Sequence, residues 1–500
     1  MPFVFDYLRK EAIEAKPGFN RWLVPPAALA IHLCIGQAYA FSVFRLPMAR
    51  LLGVTRPVDG DWKMEQTFWP FTLAIVFLGL SAAVFGRWVE RVGPRVSGLV
   101  SAVLWASGFF IGALGIWWHQ LWLVCLGYGV VGGCGLGIGY ITPVSTLIKW
   151  FPDRRGLATG LAIMGFGGGA MIASPLSERL MAWLSGPESV GVAETFLALG
   201  LIYFPCMVAG AMAFRLPPGQ SERDAAALRG EGTKEGASMQ VFEAMRSGSF
   251  WCLWVVLFCN VTAGIGILDV ASPMIQKMFP EKLDPGLAAG FVGLLSLFNL
   301  VGRIGWSSAS DRLGRKNAYV LYLGLGIALY LVAPIIARAG FLGLFVGVMA
   351  VIMSLYGGVF STIPAYLADV FGPGFVGSIH GRLLTAWSCA GIAGPAIVNY
   401  VYASQRKAGV AESRAYDWSL WMVALLLVIG FAANLGVKRM VRQAQSTEHQ
   451  MAASAVDHEH FSAGAGAYGW VALCWALVLL PLGWGVTMTL SKAARLLDLW

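Results

Sequence analysis

Charge is what this 500-residue chain has least of: only 13% of its residues are Asp, Glu, Lys or Arg, about half the ~25% of an ordinary soluble domain. A soluble fold of this length would lack the polar side chains to cover its surface. Histidine is scarce, at six residues. Three of them, His449, His458 and His460, fall in one polar stretch too loose to make a metal site. The eight cysteines (Cys34, Cys125, Cys134, Cys206, Cys252, Cys259, Cys389, Cys474) lie in apolar blocks with no CxxC pair. That argues against a disulfide framework or a zinc centre and for packing. The first twenty residues lack the early apolar core and the small-residue cleavage site of a secretory signal, and read as a charged lead-in. What the chain does have is apolar residues, 57% of the total, in blocks of twenty or more rather than in amphipathic periods. Mean hydropathy is +0.67. This is the pattern of segments dissolved in hydrocarbon.

The blocks predict an all-α membrane protein. Six spans fall at 22–44, 67–89, 96–117, 121–143, 157–183 and 194–214, and six more at 250–275, 287–308, 317–337, 340–368, 378–402 and 417–437. The corresponding units are a lead-in 1–21, a six-helix half 22–214, a central loop 215–249, a second half 250–437, a polar linker 438–467 and one further span 468–490. The net charge of +9 sits in short clusters between the blocks, as topology signals do, and not on a nucleic-acid-binding face. Twenty-one Lys and Arg flank the N-terminus, the central loop and the loops on their side, against eleven on the other. That excess predicts a multi-pass protein of the plasma (inner) membrane with its N-terminus in the cytoplasm.

An internal repeat supports six plus six. Between spans two and three stands Gly86-x-x-x-Glu90-Arg91-x-Gly93-Pro94-Arg95, and between spans eight and nine Ser307-x-x-x-Asp311-Arg312-x-Gly314-Arg315-Lys316, with the acidic residues 221 positions apart. Either copy alone reads equally well as a basic turn anchoring two helices; two copies at equivalent loops argue for duplicated halves. Gly133, Gly135, Gly137 and Gly139 in span four, with Gly156, Gly160, Gly165 and Gly167–Gly169 in span five, let backbones approach closely in lipid. Static packing explains part of this pattern, and the rocking of two halves uses the same contacts.

The two loop motifs resemble the loop motif of the major facilitator superfamily. The run from Gly137 to Gly160, through Tyr140, Thr142, Pro143, Lys149, Trp150, Phe151, Pro152, Asp153, Arg154, Arg155 and Gly156, resembles the oxalate/formate antiporter-type carriers, relatives of the monocarboxylate transporters. Span one (Gly36-Gln37-Ala38-Tyr39-Ala40-Phe41-Ser42) and span eleven (Gly381-Arg382 to Thr385-Ala386-Trp387) are similar to that family too. The resemblance covers roughly residues 20–440 and leaves the thirteenth span outside it. It implies a substrate near the midplane between the halves, an arginine in span eight, and a second cation, a lysine, in span eleven. Trp387 stands where that lysine would be, which favours a monocarboxylate over a dianion such as oxalate.

The residues themselves single out Arg303. It lies eight positions before Asp311, about 12 Å into the membrane at ~1.5 Å per residue. An arginine so deep costs about 2.5–3.5 kcal/mol on insertion scales, so it should face a polar passage and an anion; its planar fork suits a carboxylate. Asn299 is one turn away. Asp269 has three readings: partner of Arg303, carrier of a coupling proton, or a residue facing water at the outer mouth. Arg382 reads as a snorkelling or headgroup residue ahead of an inward one. Tyr39, Tyr140, Tyr356 and Phe360 are candidate walls of the passage, with Gln37 as a further donor, although aromatic packing would explain each ring singly. His32 reads as a packing histidine. The expectation is a secondary transporter of small carboxylates by alternating access, as anion exchange or proton symport. It calls for no metal, cofactor or nucleic acid, has the lipid bilayer as partner, is compatible with a monomer, and shows no nucleophile–base grouping of an enzyme. Efflux of another solute, or carboxylate sensing without flux, are the alternatives.

Overall fold

The computed structural model describes residues 7–16, 18–63, 66–222, 224, 239–281, 285–440 and 465–497. His449, His458 and His460, positions 223 and 225–238 of the central loop and most of the 438–467 linker lie outside these residues. The described residues form thirteen long helical segments: α1 (Arg21–Ala40), α2 (Trp69–Val92), α3 (Pro94–Trp117), α4 (Leu121–Trp150), α5 (Arg155–Leu184), α6 (Val192–Ala213), α7 (Gly248–Met278), α8 (Pro285–Leu313), α9 (Arg315–Arg338), α10 (Leu342–Phe371), α11 (Val376–Leu383 and Thr385–Lys407), α12 (Asp417–Gly436) and α13 (Ala465–Leu497). Helices answer a lipid solvent because each satisfies its own backbone N–H and C=O groups. Among the described residues, twelve of these segments are long and apolar enough to cross a bilayer; α11 is the exception. Its polar run Ser388, Asn399, Ser404, Gln405, Arg406 and Lys407 keeps it below that threshold, and it is broken at Leu384.

Two boundaries differ from the sequence expectation for a physical reason. Span four does not stop at Pro143 but runs on to Trp150, because its last turn is buried and Lys149 finds anions there. Span eleven begins at Val376 and bends rather than running straight. Within α4, residues Cys125–Gly132 widen into a π-helix where Gly127, Gly129 and Gly132 meet other backbones.

The duplication is visible in the turns. The α2–α3 and α8–α9 connections are each a single glycine in the left-handed region, Gly93 (φ +83°) and Gly314 (φ +79°), where a side chain would be strained. The halves meet along two helix pairs, α2 with α11 and α5 with α8, so close that a Cβ on Gly86 would stand 2.9 Å from Ser378 Cα and one on Gly156 2.1 Å from Ser307 O. On the N-terminal side the lead-in is tied down by Ala15 N donating to Leu216 O (2.8 Å) and Leu216 N to Ile13 O (3.0 Å).

Helix α13 lies against both halves along the α5–α8 seam. Its buried Val478 and Leu482 form a separate apolar cluster with Leu29, Met164 and Met171 of the first half and Leu300 of the second. One end is anchored by Trp475 Nε1 donating to Trp22 O (3.1 Å), the other by the Arg179 guanidinium over the Trp484 ring (5.1 Å). Truncating a well-packed leucine costs about 2–5 kcal/mol. Leu482→Ala is therefore expected to lower the melting temperature of the purified protein by several degrees. Leu480→Ala, on the exposed face of the same helix, should leave it unchanged; equal effects would mean that α13 does not seal the seam.

Candidate functional site

Arg303 has no exposed surface. Its Nε donates to Asn299 Oδ1 (2.8 Å), one turn back on α8, and its Nη1 donates across the seam to Ile163 O of α5 (3.0 Å). Glycine makes the crossing possible: a Cβ on Gly167 would stand 2.9 Å from Arg303 Nε. The remaining nitrogen, Nη2, is buried and completes no hydrogen bond, and among the described residues Arg303 enters no ion pair.

Around this cation the halves assemble a cage of rings. Phe360 lies under the guanidinium (5.5 Å), and Trp387 packs edge-on against Phe360 (4.6 Å), Tyr140 (5.4 Å) and Phe166 (5.4 Å), with Tyr39 at 6.1 Å. Tyr356 closes the group against Phe360 (5.5 Å). Arg303 acts electrostatically on Tyr39, Tyr140, Tyr356 and His32. The Tyr140 hydroxyl and the Trp387 Nε1 are enclosed and complete no hydrogen bond, and the enclosed hydroxyls of Tyr39 and Tyr356 have only each other and Arg303 in reach. Buried polar groups are almost always bonded, yet these four atoms and Arg303 Nη2, five in one cage, have no acceptor but one another's oxygens. All five can donate, which suits an anion.

Two expected residues stand elsewhere. Gln37 is buried, but its Oε1 accepts from Tyr128 Oη (3.0 Å), and Tyr128 packs among Phe41, Trp105, Phe109 and Phe196 inside the first half. Its position on the tight 3₁₀ segment Gly36–Ala40 turns it from Tyr39's face. Asp269 is exposed and accepts from Asn399 Nδ2 (3.1 Å); it is no partner of Arg303. Arg382 does not reach inward either: it donates to Ser378 O (3.0 Å) and lies over Phe242. The His32 ring lies within the first half, its Nδ1 toward Ala162 O and its Nε2 toward Tyr140 O. Sequence reasoning missed Phe166, a lone ring inside a glycine run, and His380, whose ring lies 5.8 Å from Tyr140. In each case the signal available was an outlying side chain in an otherwise uniform stretch.

The loop motifs close one end of the passage in matching ways. Glu90 at the end of α2 accepts the backbone N–H of Gly377 (3.1 Å) at the start of α11. Asp311 near the end of α8 accepts from Gly156 N (2.8 Å) and Leu157 N (3.0 Å) at the start of α5. Each carboxylate thus caps a helix of the opposite half, where the positive dipole end favours it. Arg315 pairs with Asp311, and Asp369 bridges Arg315 (3.4 Å) and Arg155 (3.2 Å). Lys149 bridges Glu90 and Asp224 (3.0 Å each), with Lys10 also on Asp224. Burial would raise the Asp224 carboxyl, but the two lysines outweigh it and hold it below the usual range. Its stabilising charge is therefore complete above the unfolded carboxylate value of ~3.9 and fades only as pH falls below that. Arg91 and Arg312 stand exposed beside the two caps.

Two helical bundles related by a duplicated motif, latched at one end over a buried cation, define a membrane transporter for a small solute. Residues 27–395 match the Major Facilitator Superfamily, and the chain belongs to that superfamily. It is 27% identical to the oxalate:formate antiporter of Oxalobacter formigenes over 430 residues, 85% of this chain and 93% of that one. It is 26% identical to the apicoplast pyruvate carrier 1 of Toxoplasma gondii over 392 residues, 68% and 69% of the two chains. The fold is shared with the fucose:proton symporter of E. coli, with a TM-score of 0.57 at 13% identity over 84% of this chain and all of that one.

A carboxylate cap contributes about 0.5–2 kcal/mol, or about 2- to 30-fold in a two-state population. Asp311→Asn is expected to raise, within that range, the rate at which a membrane-impermeant maleimide applied from the N-terminal side labels a cysteine placed at Ser307 in a cysteine-free background. An unchanged rate would remove the cross-half caps as the hold on the closed form.

Proposed function

We propose that this transporter carries small carboxylate anions, monocarboxylates such as formate, lactate or pyruvate foremost, by alternating access. The observation that carries the reading is Arg303: a fully buried guanidinium with one nitrogen unbonded and no acidic partner among the described residues. A carboxylate supplies the missing charge and accepts from Nη2 and from the surrounding hydroxyls, while the rings exclude bulk water. The relatives named as an oxalate:formate antiporter and a pyruvate carrier support the same substrate class. Trp387, filling the centre of the cage as an uncharged ring, supports one negative charge over two.

The passage is shut in the form described, since Arg303, Tyr140, Phe360 and Trp387 have no exposed surface. Transport then consists of opening the latch on one side, or parting the helices on the other, around a fixed site. The distribution of Lys and Arg supports a cytoplasmic latch, with the protein multi-pass in the plasma (inner) membrane.

The test is counterflow in proteoliposomes with labelled formate, lactate, pyruvate and oxalate. Wild type should exchange one or more of the monocarboxylates. Arg303→Gln should lose about 10- to 100-fold, the worth of a hydrogen bond to a charged group at about 1.5–3 kcal/mol. A correctly inserted Arg303→Gln that transports as well as wild type would sink the anchor. Trp387→Lys is expected to raise the rate for oxalate relative to formate; an unaltered ratio would show that this position does not count substrate charge.

A further inference from the structure

His380 has no exposed surface, and neither of its ring nitrogens completes a hydrogen bond among the described residues. An imidazole carries at least one N–H in every protonation state, so this ring is destabilising unless it gains a partner at another stage of the cycle. His32 is the contrast: equally buried, it has a backbone carbonyl facing each ring nitrogen, so its N–H always finds an acceptor.

The position of His380 says what the partner is. It lies in the first segment of α11, three residues after Gly377, whose N–H is held by Glu90 in the latch, and seven before Trp387 in the cage. Its ring faces Tyr140, which packs on Trp387. The residue therefore stands between the anion cage and the latch, on the half that moves away from α2 when the latch opens. Of the titratable groups around it, Tyr140 comes from α4, and His32 of α1 acts on it electrostatically. Glu90 of α2 and Lys149 of α4 are engaged with each other. Asp369 of α10 is paired with Arg155 and Arg315, and Tyr366 of α10 donates to Asn434. Arg382 turns to Phe242, and Glu243 and Arg246 of the neighbouring short helix are exposed. The charged groups of α7, Asp269 and Lys277, lie toward its far end. Among the described residues no carboxylate is left to stabilise an imidazolium, so one has to be brought in by the substrate.

We propose that His380 is the proton site of this transporter and that the transported anion is what charges it. The inference rests on the reading that the Arg303 cage binds a carboxylate. With the cage empty, Arg303 is the one cation and His380 is neutral. An anion entering beside Tyr140 attracts a proton onto the free ring nitrogen, and the proton in turn tightens the anion. Linkage makes the coupling reciprocal. Anion and proton cross as a neutral pair, so the protein carries the same charge loaded and empty. Opening of the Glu90–Gly377 contact then exposes the imidazolium to water on the latch side, where it loses the proton as the anion leaves.

The experiment is pyruvate and formate binding to the purified protein between pH 5.5 and 8.5, with proton uptake followed by a dye in weak buffer. It is run on wild type, His380→Gln and His380→Asn, each checked for its melting temperature. Wild type should take up a proton as the anion binds, and its affinity should fall by on the order of tenfold per pH unit on the alkaline side. Both variants should show a flat profile and no proton uptake. The slope is a ratio within each protein, so a general loss of affinity does not move it. A wild-type slope kept in either folded variant would overturn the assignment, as would a flat wild-type profile with anion still bound. Absence of any carboxylate binding by wild type would instead sink the anion reading itself.

Discussion

A guanidinium enclosed inside a transmembrane bundle governs the rest of this structure. Arg303 loses its water, and at about 2.5–3.5 kcal/mol for insertion alone it has to be surrounded by groups that compensate. One nitrogen is met by Asn299 on its own helix, a second by a carbonyl of the opposite half, and the third completes no hydrogen bond. Bringing the Ile163 carbonyl within 3.0 Å forces α5 and α8 together, and only a helix lined with Gly156, Gly160 and Gly167 admits that contact. The glycines of α5 and the arginine of α8 are thus one feature seen from two sides.

The contacts along the seams between the halves differ in kind. Toward the N-terminal side the α5–α8 seam is held by Asp311 at the start of α5 and the α2–α11 seam by Glu90 at the start of α11. These are strong when aligned and fall off within a turn. Such contacts break in one step, unlike interdigitated side chains. Along the α5–α8 seam, α13 fills the groove with Leu482 and Val478, an apolar surface that tolerates sliding. A duplicated pair of charged caps with an apolar wedge beside one of them is a reasonable construction for two rigid halves that pivot about a central site.

Much of the fold was legible because lipid is an exacting solvent. Uninterrupted apolar blocks, a repeated loop motif and the bias of Lys and Arg need no tertiary information. The site was legible in part: Arg303 and Asn299 are four apart on one helix, so their contact follows from helical geometry. Tyr39, Tyr140, Tyr356, Phe360 and Trp387 were singled out from spans one, four, ten and eleven, and the structure brings them together. Gln37 is turned from the cage, and of the three readings of Asp269 its exposure fits the residue facing water and not the partner of Arg303, because each depends on local rotation. A 3₁₀ turn re-aims Gln37, and Asp269 lies on the outward face of α7. Phe166 and His380 passed unnoticed because one ring in a glycine run and one histidine near a helix start have no periodic signature.

The sequence by itself determined that this chain dissolves in a bilayer as duplicated helices and that one arginine lies where a charge costs most. Both are properties of single segments against a uniform solvent, readable from composition and spacing. Only the tertiary structure decided which nitrogen of that arginine is left over, which rings enclose it, and which carboxylate caps which helix of the other half. Those facts depend on the rotation and separation of helices hundreds of residues apart, to within an ångström. No pattern along one helix encodes them, since they arise from how closely glycine lets two backbones meet.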